Sequence, residues 1–302
     1  MYRRYTIDEI KAKVIEVLRK NDVGMSSVEL AKAIHINRMT ITKYLNILSI
    51  IGLIKRKKIG SVNIWTLEPG IVDLELPLNY LQIQQNFITM LLADQRNETT
   101  KLLLSILYSD TEKIRIIKDI IIPTFNTLRE IYNRGRLGKT ELITLNNRLF
   151  DLMVLILKHS NENKHPYDVY NIFIAGNEDQ IYNTKISSIS SEILGFHTSH
   201  VGNIEQYIDP FFDIDIQRYI TKSWSNKKGL KNIFLFSSEE TSLRFLFTTA
   251  KVLKDKMIDE IKIILFVEKD ILSIAKNLNP DYVTTDLSIL ITWEENLIKY
   301  FK

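Results

Sequence analysis

The stretch AGNEDQIYNTKISSISSEILGF, residues 175–196, places Asn177, Glu178, Asp179, Gln180, Tyr182 and Asn183 close together in the chain. Carboxylates, amides and a phenol supply hydrogen-bond donors and acceptors, which suits holding a small polar molecule. Bond breaking asks for more, and no nucleophile stands with a base at an interpretable spacing, so an enzyme is not expected. Neither Gly-x-Gly-x-x-Gly nor a Gly-Lys-Ser/Thr phosphate loop occurs. His197 and His200 are three apart in a run with strand character, which points them to opposite faces and makes them poor joint ligands for one metal. Glu239 and Glu240 are better suited to starting a helix near its positive end than to acting as an acidic pair.

The elements that must position the polar cluster can be read around it. NIFIAG precedes it as a buried strand, and the helical run after it closes at Gly195. Further short β-rich runs, FHTSHV, NIFLFSS, IKIILFVE and DYVTTDL, alternate with helical stretches. That alternation predicts a doubly wound parallel sheet, a Rossmann-like domain over residues 166–302. Ligands of such sheets collect at the carboxyl ends of the strands, where this turn and Ser237 both fall.

Upstream, residues 85–165 read as helices with few breakers, and a four-helix bundle is the economical expectation. Pro123 predicts a kink or restart within IIIPTFNTLREIYNRG. Residues 69–84 read as a linker and the start of the helical region, and residues 1–68 as a separate domain. In that first domain a capping box, Ser26 with Glu29, opens a second helix. HIN then makes a tight turn into a third helix, and LIKRKKIGSVNIWTL reads as a hairpin turning at Ile59-Gly60-Ser61.

Charge separates the two parts. Residues 1–67 hold 13 Lys and Arg against 5 Asp and Glu, a net +8, whereas residues 68–302 hold 27 against 31, a net −4. A small domain carrying the whole positive excess is the footprint of a phosphate-backbone binder. The chain has no cysteine, which excludes disulfides and thiolate metal sites. It shows neither a transmembrane-length apolar run nor a charged-then-apolar leader, so a cytoplasmic protein with no membrane partner is expected.

Three helices followed by a lysine-rich hairpin resemble the winged helix-turn-helix domain of bacterial and archaeal transcription regulators. The resemblance implies a third helix in the major groove and a wing on the backbone. By position it assigns Asn37, Arg38, Thr40, Thr42 and Lys43 to the groove, and Lys55, Arg56, Lys57, Lys58 and Ser61 to the wing. Trp65 is expected in the core beneath the wing.

IIIPTFNTLREIYNRGRLGKTELITLNNRL is similar to the helical cap preceding the cobalamin-binding domain of methionine synthase and of light-responsive MerR-type regulators. That resemblance implies an aromatic over the corrin, here Tyr132, and a Glu-His pair where this chain has Leu142 and Ile143. It implies Asp-x-His-x-x-Gly in the turn, where this chain has Gln180 for the histidine and Asn183 for the glycine. A serine follows the third strand as Ser237 or Ser238, and the Gly-Gly after the fourth is Val267-Glu268.

These readings combine into a one-component transcription regulator that binds double-stranded DNA as a homodimer. Its sensor is a degenerate cobalamin-type module with Tyr132 facing the turn around Gln180. No cofactor is expected and cobalamin is disfavoured, with Tyr132, Asp179, Gln180, Tyr182, Asn183 and Ser237 holding a small polar ligand. The alternatives are a DNA-binding protein whose C-terminal part only dimerises or recruits partners, and a corrinoid methyltransferase-related subunit.

Overall fold

Five parallel strands, β4 (Val169–Ala175), β5 (His197–Asn203), β6 (Leu230–Ser237), β7 (Ile261–Val267) and β8 (Tyr282–Thr284), form one sheet in the order β5-β4-β6-β7-β8. This computed structural model describes residues 7–21, 23–50, 53–60, 62–67, 80–107, 111–160, 166–205, 212–256 and 261–299. The strands β4, β6 and β7 are buried almost throughout, because crossover helices cover both faces of a parallel sheet. The α/β sheet expected from the alternating runs is therefore present.

Period-two alternation decides what each face receives. Ile172, Ile174, Ile233, Leu235, Ile263 and Leu265 join the cluster filled from the other side by α10 (Phe212–Ser223), α11 (Glu240–Lys256) and α12 (Leu272–Asn277). The opposite face carries aromatics: Phe173 stacks on Phe234 at 4.5 Å, and Phe234 meets Trp293 of α13 (Leu287–Ile298) edge-on at 6.0 Å. Helix α9 (Ile181–Ile193) covers the same face and ends before Gly195, whose φ of +91° suits glycine.

This aromatic face also holds polar groups. Asn171 Nδ2 donates to Ser191 Oγ at 2.7 Å and to Glu294 Oε1 at 3.1 Å, and Asn232 Nδ2 donates to Asn171 Oδ1 at 2.7 Å. Glu294 is wholly buried and its Oε2 lacks a hydrogen-bond partner. Burial pushes its carboxyl up to about 8, against the smaller opposing pull of the Ser191 and Asn171 hydrogen bonds.

Before the sheet, α6 (Lys113–Ile116) passes through a wide π-turn (Ile117–Ile121) into α7 (Ile122–Asn133). The turn directly precedes Pro123, whose ring excludes an amide hydrogen and crowds the preceding turn, and the helix absorbs it by widening. Helix α8 (Lys139–Ser160) follows and packs against α7 and α9.

The chain divides into two compact units, Met1–Thr111 and Glu112–Lys302. The expected four-helix bundle is not confirmed: α4 (Tyr80–Leu92) and α5 (Arg96–Leu107) fall in the first unit and α6–α8 in the second. An apolar stripe shows that a helix packs, but not against what.

The first unit opens with α1 (Ile7–Arg19), β1 (Met25–Ser26), α2 (Ser27–Ile34) and α3 (Arg38–Ile50), followed by a hairpin, β2 (Ile54–Ile59) and β3 (Val62–Leu67). Antiparallel pairing gives the order β1-β3-β2. Ile10, Val14 and Leu18 of α1 meet Ile41, Leu45 and Leu48 of α3 in one core, since these spacings place each set on a single helix face. The Ser26–Glu29 capping box is formed in both directions, at 2.7 and 3.3 Å. Trp65 is 1% exposed and donates Nε1 to Ser27 Oγ at 2.9 Å, the core role expected of it.

Candidate functional site

The turn of residues 177–180 is built by the carboxyl ends of several strands. Asn177 Oδ1 accepts from the Ser238 backbone at 3.2 Å, and its Nδ2 is bonded to Ser238 Oγ. Across the turn, the Glu205 carboxylate accepts from the Glu178 backbone N–H at 2.9 Å. A short 3-10 turn, Glu178–Gln180, then leads into α9.

Gln180 is 0% exposed. Its Oε1 accepts from Asn183 Nδ2 at 2.8 Å, and its Nε2 donates to Glu268 Oε1 at 3.2 Å. The same Glu268 oxygen accepts from the Arg129 guanidinium at 2.9 Å. Gln180 thus sits at the centre of a fastener joining α7, the turn after β4 and the end of β7. Glu268 and Arg129 are partly exposed, so the interior amide pairs carry more of this fastening than the ion pair does.

Beside the fastener lies a cavity of about 490 Å³. Helix α7 lines it with Phe125, Arg129 and Tyr132, and α8 with Lys139, Leu142, Ile143, Asn146 and Asn147. The turn and α9 add Glu178, Asp179, Tyr182 and Lys185. Tyr182 is held by rings, stacked on Phe150 at 5.3 Å with an interplanar angle of 3° and tilted against Phe125 at 6.2 Å. Burial, with the Glu178 carboxylate, raises its phenol above the ordinary value, which keeps it a proton donor at neutral pH. The volume lies within the range of roughly 300–1,000 Å³ typical of small-molecule sites.

The residues expected to hold a ligand therefore part company. Tyr132, Asp179 and Tyr182 share the cavity wall, while Gln180, Asn183 and Ser237 are absent from it. Gln180 and Asn183 are spent on each other beneath the wall. Ser237 Oγ accepts from the Glu239 backbone N–H at 3.1 Å and is hydrogen-bonded to Ser242 Oγ at 2.8 Å, which fixes the start of α11. Tyr132 accordingly faces the residues flanking Gln180, not Gln180 itself.

Phe125, Arg129, Asn133, Lys139, Asn146, Asn147, Ile181 and Lys185 line the cavity without having been expected from the sequence. Asn146 had a signal: it lies four after Leu142 and three before Leu149, on the stripe of α8 that is otherwise apolar.

His197 stacks on Tyr170 at 4.7 Å, a packing role. Burial lowers the basicity of His200, helped by the charge of Lys185. Among the described residues no group of three or more His, Asp or Glu side chains is placed to hold a metal ion.

In the N-terminal unit, Asn37, Arg38, Thr40 and Lys43 are exposed at the start of α3. Asn37 Oδ1 accepts from the Met39 backbone at 2.8 Å and caps the helix, and Thr42 Oγ1 donates back to the Arg38 carbonyl at 2.8 Å. Both side chains are thus engaged locally. Lys55, Arg56, Lys57 and Lys58 are all exposed along β2. Ser61 lies outside the described residues.

No protein-family model and no curated protein matches this sequence. Solved structures do. The monomethylamine corrinoid protein of Methanosarcina barkeri superposes with a TM-score of 0.54 at 11% identity, covering 72% of this chain and 99% of that one. A cobalamin-binding protein from Desulfitobacterium hafniense gives 0.43 at 14% identity, over 72% and 98% of the two chains. The methanol:cobalamin methyltransferase complex of the same Methanosarcina gives 0.38 at 8% identity, over 72% and 80%.

The chain is similar in fold to a corrinoid protein. This corrects the expectation that no cofactor belongs here and that cobalamin is disfavoured. That expectation weighed single positions, Gln180, Asn183, Leu142 and Ile143. A ligand as broad as a corrin touches a protein over its whole face and edge, so exchanges at a few contacts do not by themselves exclude it. These structures leave the winged-helix resemblance unsupported.

The donor set can be tested against a corrin, a broad apolar ring edged with carboxamides around a metal. Phe125, Tyr132, Tyr182, Leu142 and Ile143 fit its face, and Asn133, Asn146 and Asn147 fit its edge. The turn offers no imidazole to the metal, since the residue at that place is the engaged amide of Gln180.

Proposed function

We propose that the C-terminal unit binds a corrinoid in the cavity bounded by α7, α8 and the start of α9. The observation that carries this reading is the cavity, aromatic in its wall and amide-rich at its rim, in a unit that folds like a corrinoid protein. A bound corrinoid would supply a cobalt centre with an exchangeable ligand. Phe125, Tyr132 and Tyr182 would hold the ring and exclude water from it, and the asparagines with Lys139 would hold its edge. The turn contributes shape and rigidity through Gln180, not a metal donor. Incubation with hydroxocobalamin followed by desalting is expected to leave stoichiometric red cofactor on the protein; elution of all colour with the small molecules would contradict the reading.

A separate observation favours a second activity. Four consecutive exposed cations, Lys55 to Lys58, run along a hairpin that follows three helices, in the part of the chain with the net positive charge. This supports duplex DNA binding by the N-terminal unit, with α3 in the major groove and a homodimer reading two half-sites. The chain then acts as a corrinoid-responsive DNA-binding protein without a catalytic step of its own. A corrinoid-carrying methyltransferase subunit would share the first activity and lack the second, so a DNA titration separates the two.

A further inference from the structure

Helix α13 turns only one of its faces to the sheet. Leu287, Leu290, Ile291, Glu294 and Leu297 are buried, whereas Ser288, Ile289, Thr292, Trp293 and Asn296 fall on the other side at helical spacing and, with Tyr282, line an open groove of about 280 Å³. Ile289 is 52% exposed, more than any other large apolar side chain of the C-terminal unit among the described residues. Trp293 stacks on Tyr282 at 5.3 Å, which sets an aromatic wall beside β8, the last strand of the sheet. Among the described residues no charged side chain lines the groove, and Lys118 and Glu295 near it neutralise each other at 2.8 Å. An uncharged, partly apolar stripe of this kind marks a contact surface.

The charges at the two ends of the stripe decide what covers it. Asp286 caps the start of α13, accepting from the Ile289 backbone N–H at 3.0 Å, and the exposed Lys299 follows its last turn. A second copy of the helix, laid antiparallel across a two-fold axis between Thr292 and Trp293, brings Asp286 opposite Lys299, Ile289 opposite Asn296 and Thr292 opposite Trp293, each pair in both directions. The two helix dipoles then also run in opposite senses. We infer that this face of α13 is the interface of a homodimer, with a second copy of the chain as its occupant. The inference rests on the homodimer in the DNA-binding reading above and adds the surface that forms it. A stripe one helix long is smaller than a standard interface, so the dimer is expected to dissociate at roughly micromolar concentration.

The test is sedimentation of the full chain over a concentration series, with two kinds of variant. Ile289→Glu puts a carboxylate into the contact and is expected to weaken the dimer by roughly tenfold or more. It should melt at the wild-type temperature, since the side chain it replaces is exposed. The chain has no cysteine, so a single introduced one reports without background. Thr292→Cys, next to the axis, is expected to give a disulfide-linked dimer under mild oxidation. Asn296→Cys, exposed on the same face but about 10 Å from its copy along the helix, is expected to give little. Should Ile289→Glu fail to fold, the two cysteine variants decide alone. A dimer that Ile289→Glu leaves intact, or cysteines that link alike or not at all, overturns the inference and leaves the homodimer to another face. A wild type that stays monomeric at roughly a hundred times the expected dissociation concentration overturns both; if Ile289→Glu then melts below it, the groove is covered from within the same chain.

Discussion

The two units use polar residues in opposite ways. In the N-terminal unit the cations of β2 all point into solvent, where each charge acts for itself and is screened by salt. In the C-terminal unit the decisive polar groups, Gln180, Asn183, Asn171 and Glu294, are buried and act only through partners. An outward site is a matter of composition and survives shuffling of its members. An inward site is a matter of geometry, and removing one member strands the next.

The largest expected effect lies on the outward side. If the wing grips phosphates, DNA affinity should fall by orders of magnitude between 50 and 200 mM salt, the scale expected for several phosphate contacts. Replacing Arg56, Lys57 and Lys58 with alanine should flatten the slope of log K against log salt by roughly 3 and weaken all duplexes alike, while corrinoid retention stays unchanged. Sequence-selective loss in a gel-shift series would mean that these residues read bases and would blur the contrast.

On the inward side, Gln180→Ala removes a fully buried amide and leaves Asn183 Nδ2 without its partner. Chemical denaturation should show a loss of about 1–3 kcal/mol. A loss well under this range would show that the fastener is ornamental and that the rest of the interface holds α7 in place.

A subtler difference comes from Glu294. Its carboxyl is raised from 4.5 to about 8 in the folded chain, so folding keeps a proton there that the unfolded chain releases. Its contribution to stability is full below about 4.5 and is lost progressively as pH rises towards about 8. Glu294→Gln should therefore flatten the fall in melting temperature across that window, whereas the exposed cations of β2 leave it in place. A profile with the same slope in variant and wild type would remove Glu294 as its source.

The contrast also explains what was legible in the sequence. The basic hairpin, the Ser26–Glu29 box and the strand-helix alternation are local patterns, so residue order alone displays them. The strand-end turn was legible as a place but not as a division of labour: Asp179 and Tyr182 face the cavity while Gln180 and Asn183 turn inward, a split set by Glu268 and Arg129, distant in the chain. The grouping of four helices failed for the same reason, because helical periodicity does not record partners. Asn146 escaped notice because one polar residue in an apolar stripe gains meaning only when a cavity is found beside it.

If the cavity beside α7 and α8 receives a corrinoid, obstructing that cavity should abolish retention of the cofactor. Ile143 lines it and is 38% exposed, so Ile143→Trp adds bulk there without crowding a packed core. Wild type and variant, each loaded with hydroxocobalamin and desalted in parallel, should differ sharply: stoichiometric colour on the wild type and little on the variant, with equal melting temperatures before loading. Equal retention by both would place the ligand elsewhere, and retention by neither would contradict the account outright.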